Sequence, residues 1–121
     1  MPYHPENAVL WAEIPVSNLD ASAKFYAEVM GYDMRRDVSG HKPVVDIMAN
    51  GVAGHLYEAP PAPRGTGMTL HLAVDGALED ALTRAASAGA KQTTPIITIP
   101  PGRFAKIEDL DGNSIGLFQP A

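Results

Sequence analysis

The chain carries one pattern twice. From Trp11 to Gly31 and again from Thr69 to Gly89, two segments align without a gap. Val16 and Val74 stand 58 positions apart, and so do Ala23 and Ala81, Ala27 and Ala85, and Gly31 and Gly89. Ile14 is answered by Leu72 in the same register. Each copy later reaches a turn dipeptide, Asn50-Gly51 or Asp111-Gly112, followed by a strand that holds a glycine, Gly54 or Gly116. A fixed internal period sets architecture ahead of chemistry, because each copy must fold into the same supersecondary unit. One domain of two similar modules is expected, at about 8–59 and 68–120, joined by a linker at about 60–67.

Within the first copy, residues 8–16 alternate at period two, which predicts a strand. Leu10, Ala12, Ile14 and Val16 form one face of it, Trp11 and Glu13 the other. Asn18 stands where a helix N-cap belongs, and Leu19, Ala23, Tyr26 and Met30 follow at helical spacing. Gly31 ends that helix as a residue able to adopt positive φ. Strands are expected near 32–39, 43–49 and 52–58, the last two joined by Asn50-Gly51 in a type I′ turn. The proline-rich run 60–67 reads as a stiff linker whose glycines let it change direction. The second copy repeats the plan. A strand is expected at 68–74, a helix at 77–88 with Leu78, Ala81, Leu82 and Ala85 inward, and strands near 92–99, 103–109 and 114–119. Two helices cannot cover both faces of about eight strands. The fold class is therefore α+β: two tandem βαβββ modules forming one cupped, mostly antiparallel eight-stranded sheet with helices on one face.

Composition then removes whole classes of function. The net charge is −5 and no basic run occurs, which argues against nucleic acid or an anionic membrane as partner. No apolar stretch approaches the ~20 residues of a bilayer span, and the opening residues show no leader pattern. With no cysteine, there are no disulfides, thiolate zinc sites or cysteine nucleophiles, which fits a cytoplasmic protein.

If the helices cover the apolar face, Trp11, Glu13, Thr69 and His71 fall on the opposite one. Tryptophan is a large apolar surface to leave in water, so that face is expected to be an enclosed or ligand-covered cup. Gly54 and Gly116 would add room in it, and Phe118 would line it. Parity places His55 and Tyr57 on the helix side.

The run Val16-Ser-Asn-Leu-Asp-Ala-Ser-Ala-Lys-Phe-Tyr26, ending Val29-Met30-Gly31, resembles the first-module signature of the vicinal oxygen chelate superfamily. That group holds glyoxalase I, bleomycin-resistance proteins and extradiol dioxygenases. The closing run Glu108-Asp-Leu-Asp-Gly-Asn-Ser-Ile-Gly-Leu117 is similar to its Asp-Pro-Asp-Gly turn and last strand, with Leu110 in place of the proline. Asn18 stands for the aspartate of the helix cap. The resemblance covers about residues 8–120 and implies the cupped fold and a homodimer. In metal-dependent relatives the ligands come from the first and last strand of each module. Carried over, these places are Trp11 and Thr69, and approximately Gly54 and Gly116. None is a histidine or carboxylate, so no metal is expected there.

The resemblance, with its ligand places changed, implies a small-molecule binder without metal or other cofactor, either sequestering a compound or supporting modest acid–base chemistry. Glu13 and His71, related by the repeat, are the candidate acid–base pair; alternatively they form a self-satisfied polar pair. Trp11, Thr69, Gly54, Gly116, Phe118 and Arg103 are candidate ligand contacts, with Arg64 a second cation for an anionic ligand. His4 and His41 read as solvated, and Asp109 and Asp111 as turn residues. The rival reading is a metal-dependent lyase or isomerase resembling lactoylglutathione lyase, or a dioxygenase, built on non-standard ligands.

Overall fold

Helix caps and strand parity locate the elements of a computed structural model that describes residues 2–7 and 9–121. The expected strand start at Ala8 lies outside the described residues. Module 1 runs β1 (Trp11–Val16), α1 (Leu19–Met30), β2 (Met34–Asp37), β3 (Val44–Ile47) and β4 (Ala53–Glu58). Module 2 runs β5 (Leu70–Ala73), α2 (Leu78–Ser87), β6 (Lys91–Gln92), β7 (Ile97–Ile99), β8 (Gly102–Glu108) and β9 (Ser114–Pro120). The Asn18 side chain caps α1 by accepting from the Ala21 amide at 2.9 Å, and Gly31 ends it at φ 75°.

The α+β class and the tandem plan hold, with the strands grouped in two sheets. One has the order β1-β4-β3-β2; the other has β5-β9-β8-β6, with β7 also on β8. Hairpin neighbours pair antiparallel, while β1 on β4 and β5 on β9 are parallel, since a helix-containing crossover lies between them. No backbone ladder joins β1 to β5. Pro15 has no N–H to offer at that edge, and its carbonyl is taken by the Asn113 amide at 2.8 Å.

Three expectations need correction. The predicted strand near 92–99 is two short strands, because Thr93 to Ile96, with Pro95 among them, interrupts the ladder to β8. Neither Asn50 nor Gly51 has a positive φ, so no type I′ turn forms. The Met48 amide bonds Asp33 instead, at 3.0 Å, and draws the chain into a wider loop at 48–52. Leu10 precedes β1 and is exposed, so the inner face begins at Ala12.

Both helices cover the same side of their sheets, and one apolar core runs through both modules. Ile14, Val16, Tyr26 and Leu56 join Val74, Leu78, Ile107 and Leu117 in it. Polar bonds lock the modules at their margins. The Arg84 Nε donates to the Val29 carbonyl at 3.1 Å, and the Tyr32 hydroxyl donates to the Ala73 carbonyl.

The buried Asp109 makes the main joint. Its carboxylate accepts from the Tyr26 hydroxyl at 2.7 Å, the Asp111 and Asn113 amides at 2.9 Å, and the Asn113 side chain at 3.0 Å. Burial, and then this carboxylate, hold the Tyr26 hydroxyl firmly protonated by raising its pKa. Asp109→Ala should cost on the order of 3 kcal/mol, because it strands a buried hydroxyl and the turn amides together. Tyr26→Phe leaves the carboxylate its other donors and should cost about 1 kcal/mol. Urea denaturation of both variants measures the difference, and equal costs would refute the joint as described.

Candidate functional site

The sheet face turned away from the helices carries two matching rows of side chains. In module 1, Glu13, His55 and Asp46 stand abreast on β1, β4 and β3. In module 2 the equivalent row is His71, Gly116 and Lys106 on β5, β9 and β8. One step along, Tyr57 and Val44 answer Phe118 and Phe104. The registers therefore equate His55 with Gly116, not Gly54 with Gly116. The helix starts confirm it, since Glu58 accepts from the Leu19 amide and Gln119 from the Leu78 amide, at 3.4 and 2.9 Å.

This register corrects the expected faces. His55 and Tyr57 share the side of Trp11 and Glu13, and Gly54 lies on the side of the buried Leu56. A side chain at Gly54 would meet the Ala12 backbone, so the glycine permits close approach of β1 to β4 and opens no cup. At Gly116 a side chain would strike the His71 imidazole. The glycine admits His71 over the sheet, so its space is already filled.

Module 1 holds a polar relay. The half-exposed Trp11 donates its Nε1–H to His55 Nδ1 at 3.1 Å, and His55 Nε2 faces Glu13 Oε2 at 3.4 Å. Because Nδ1 accepts, a neutral His55 carries its proton on Nε2, aimed at the carboxylate. Tyr57 meets the His55 ring edge-on at 6.0 Å. A recess of about 630 Å³ opens beside Glu13, His55 and Tyr57 and is bordered by Ser39 and Lys42. Two further recesses, of about 610 and 420 Å³, lie where β1 and β5 face one another.

Module 2 holds an aromatic platform. Phe104 and Phe118 are parallel to within 4°, with centroids 6.0 Å apart. His71 stands perpendicular to both, at 5.0 and 5.9 Å. Beside it the Thr69 and Ser114 hydroxyls share a hydrogen bond of 2.7 Å.

Glu13 and His71 are not bonded to each other. They sit on separate edges without a common ladder, whereas β4 lies directly against β1 and delivers His55 to Glu13. Arg103 also departs from expectation, for it projects to the helix side. Glu79 holds its guanidinium at 2.8 and 2.9 Å and Gln119 at 2.7 Å. The Arg103 hydrogen bonds draw the Glu79 carboxyl down to about 2. Arg64 is likewise engaged, by Glu108 at 3.2 Å and the Leu110 carbonyl at 3.0 Å. Sequence reasoning set His55 on the helix side and did not consider Lys106, yet the registers bring both to this face. Aligning the last strands on Tyr57-Glu58 with Phe118-Gln119, rather than on their glycines, would have found His55.

With that alignment, the places where metal-dependent relatives carry ligands hold Trp11, His55, Thr69 and Gly116. The single imidazole among them already has Nδ1 occupied by Trp11. Among the described residues no three His, Asp or Glu side chains converge as a metal set. This donor set does not fit a divalent ion. No helix of the described residues is long and apolar enough to cross a membrane.

The sequence matches the profile of the Glyoxalase/Bleomycin resistance protein/Dioxygenase superfamily over residues 8–117. No curated protein matches it. Among solved structures, a glyoxalase/bleomycin resistance protein from Albidiferax ferrireducens T118 superposes with a TM-score of 0.74 at 21% identity. That alignment covers 95% of this chain and 100% of the other. The antibiotic-binding protein TnmS3 from Streptomyces sp. CB03234 is 28% identical, with a TM-score of 0.65 over 98% and 100% of the two chains. A glyoxalase-related enzyme from Fulvimarina pelagi is 22% identical, with a TM-score of 0.67 over 92% and 86%.

Partial burial, and then the Lys106 ammonium, push the His71 imidazole below its usual 6.5. The fold thus favours neutral His71. Its contribution to stability is full above that value and is lost as pH falls through the lowered pKa. In an NMR titration the His71 midpoint should lie below that of a free histidine. Lys106→Met should raise it only part of the way, since burial is the larger cause. A midpoint unmoved by Lys106→Met would separate the two groups.

Proposed function

Because the chain belongs to the glyoxalase/bleomycin resistance protein/dioxygenase superfamily, we propose that it binds a planar small organic molecule on its helix-free face, without a resident metal. The observation that carries this reading is the partly exposed parallel pair Phe104 and Phe118 with His71 set perpendicular beside it. Flat aromatic walls with a few polar groups are how small-molecule sites take up planar ligands. Likeness to an antibiotic-binding protein supports a sequestering role over turnover. Trp11, Thr69 and Phe118 keep their proposed place as contacts. Glu13 and His71 act separately, Glu13 through His55 and His71 beside the phenylalanines. The polar relay of module 1 is the feature that favours modest acid–base chemistry, should any turnover occur.

Phe118→Ala should weaken binding of a planar aromatic probe such as a naphthalene derivative by about 1–3 kcal/mol, the scale of one lost aromatic wall. Isothermal titration against the parent measures it, and unchanged affinity would remove the platform from the site. The rival lyase reading has its own signature. A large rise in melting temperature on adding Zn²⁺, Ni²⁺ or Mn²⁺, abolished by Glu13→Gln, would establish it in place of the binder.

A homodimer is part of the same proposal. Val9, Trp11 and Met68 are exposed apolar residues around one recess of the β1–β5 seam, and Val9, Met48 and Val52 border the other. An apolar cluster of this kind is commonly covered by a partner. Sedimentation velocity at tens of micromolar should show a dimer that Met68→Glu weakens; a monomer would count against it.

A further inference from the structure

Lys106 is a cation without a carboxylate. It stands on β8 across Gly116 from His71, on the face that carries Phe104 and Phe118. Among the described residues no Asp or Glu lies within ion-pair distance of its ammonium. The other charged residue on that side of β8, Glu108, is held by Arg64 at 3.2 Å. The repeat does not explain the charge either, for the matching position in module 1 is Asp46. The side chain is half-buried, and its charge is felt at His71. An ammonium with no counter-ion beside apolar rings gains Coulomb attraction from an incoming anion, and no internal ion pair has to be broken for it.

The rest of the platform fits such a ligand. Phe104 and Phe118 offer apolar area to a flat ring system, and a neutral His71 has one ring N–H to donate. An acidic oxygen at the rim of the ring would meet Lys106. The whole chain, at net charge −5, repels anions at long range. Any preference for them must therefore come from a local cation; Arg103 and Arg64 are already engaged, and Lys42 borders the recess of module 1, not the phenylalanines of module 2.

We propose that Lys106 is the charge-selecting residue of this face and that its ligand is a planar aromatic anion, a carboxylate or an ionised phenol. This deepens the binding reading above and rests on it. The test uses 2-naphthoate and its neutral counterpart 2-naphthamide, titrated calorimetrically at about pH 8, where His71 is neutral. Naphthoate should bind at least about tenfold tighter than the amide at low salt, and the gap should narrow as salt rises. Lys106→Met should bring naphthoate to the level of the amide measured on the same variant, and Lys106→Arg should restore the preference. Thermal melts confirm that each variant is folded, with Lys106→Gln replacing Lys106→Met if the latter is not. Equal affinity for the two probes, or a preference that survives loss of the lysine, overturns this proposal alone. Failure of both probes to bind overturns it together with the binding reading.

Discussion

Asp109 is the point at which the two halves of this protein become one. Its carboxylate closes the β8–β9 turn through two backbone amides and reaches into module 1 through the Tyr26 hydroxyl. The same turn holds the end of the first strand, since Asn113 bonds the Pro15 carbonyl and Asp111 accepts from the Ser17 amide at 3.1 Å. A buried carboxylate is tolerable only when fully hydrogen-bonded, so the turn, the helix and the strand end must all be in place together. This joint lies on the helix side. Because it and the shared core hold the modules from behind, the opposite sheet faces need no internal packing to stay in position. They are free to carry a site.

That freedom shows in how the two faces diverged on one backbone plan. Glu58 and Gln119 do the same work at the two helix starts, and the strand registers match position for position. Toward the solvent side the same positions hold different chemistry. His55 with Trp11 and Glu13 forms a hydrogen-bonded relay in module 1, where module 2 has Gly116 with His71 laid across it. The glycine is a consequence of this divergence. A side chain at 116 and the imidazole of His71 cannot occupy one place, so His71 lies over the sheet only because position 116 has none.

The fold was legible because its signals are local and doubled. The Asn18 cap, the Gly31 stop and the period-two runs each depend on a few neighbouring residues, and the second copy repeats the spacing. Legibility failed where long-range register decides. His55 was expected on the helix side because Gly54 was equated with Gly116, an error of one residue, and a one-residue shift in a strand exchanges its faces. Glu13 was paired with His71 through the repeat, yet symmetry says which positions correspond, not which ones touch. Contact follows the ladder, and the ladder joins β1 to β4. Arg103 failed for the same reason. Its strand neighbours Ala105 and Ile107 are buried, which settles the side it takes, and Glu79 on α2 then claims it.

Position 106 carries the clearest trace of function in this arrangement. Fold requirements explain many residues behind the sheets: apolar where they meet the core, with Arg103 held by Glu79 and Arg84 by the Val29 carbonyl. They also explain Gly54 and Pro15. A half-buried lysine on the same sheet face as an imidazole and two parallel phenylalanines answers none of them. It closes no turn, caps no helix and joins no ion pair among the described residues, and after burial it is the second cause of the lowered basicity of His71. Buried side-chain donors and acceptors all find partners within the fold among the described residues, whereas the Lys106 ammonium has no carboxylate beside it and is open to one from outside.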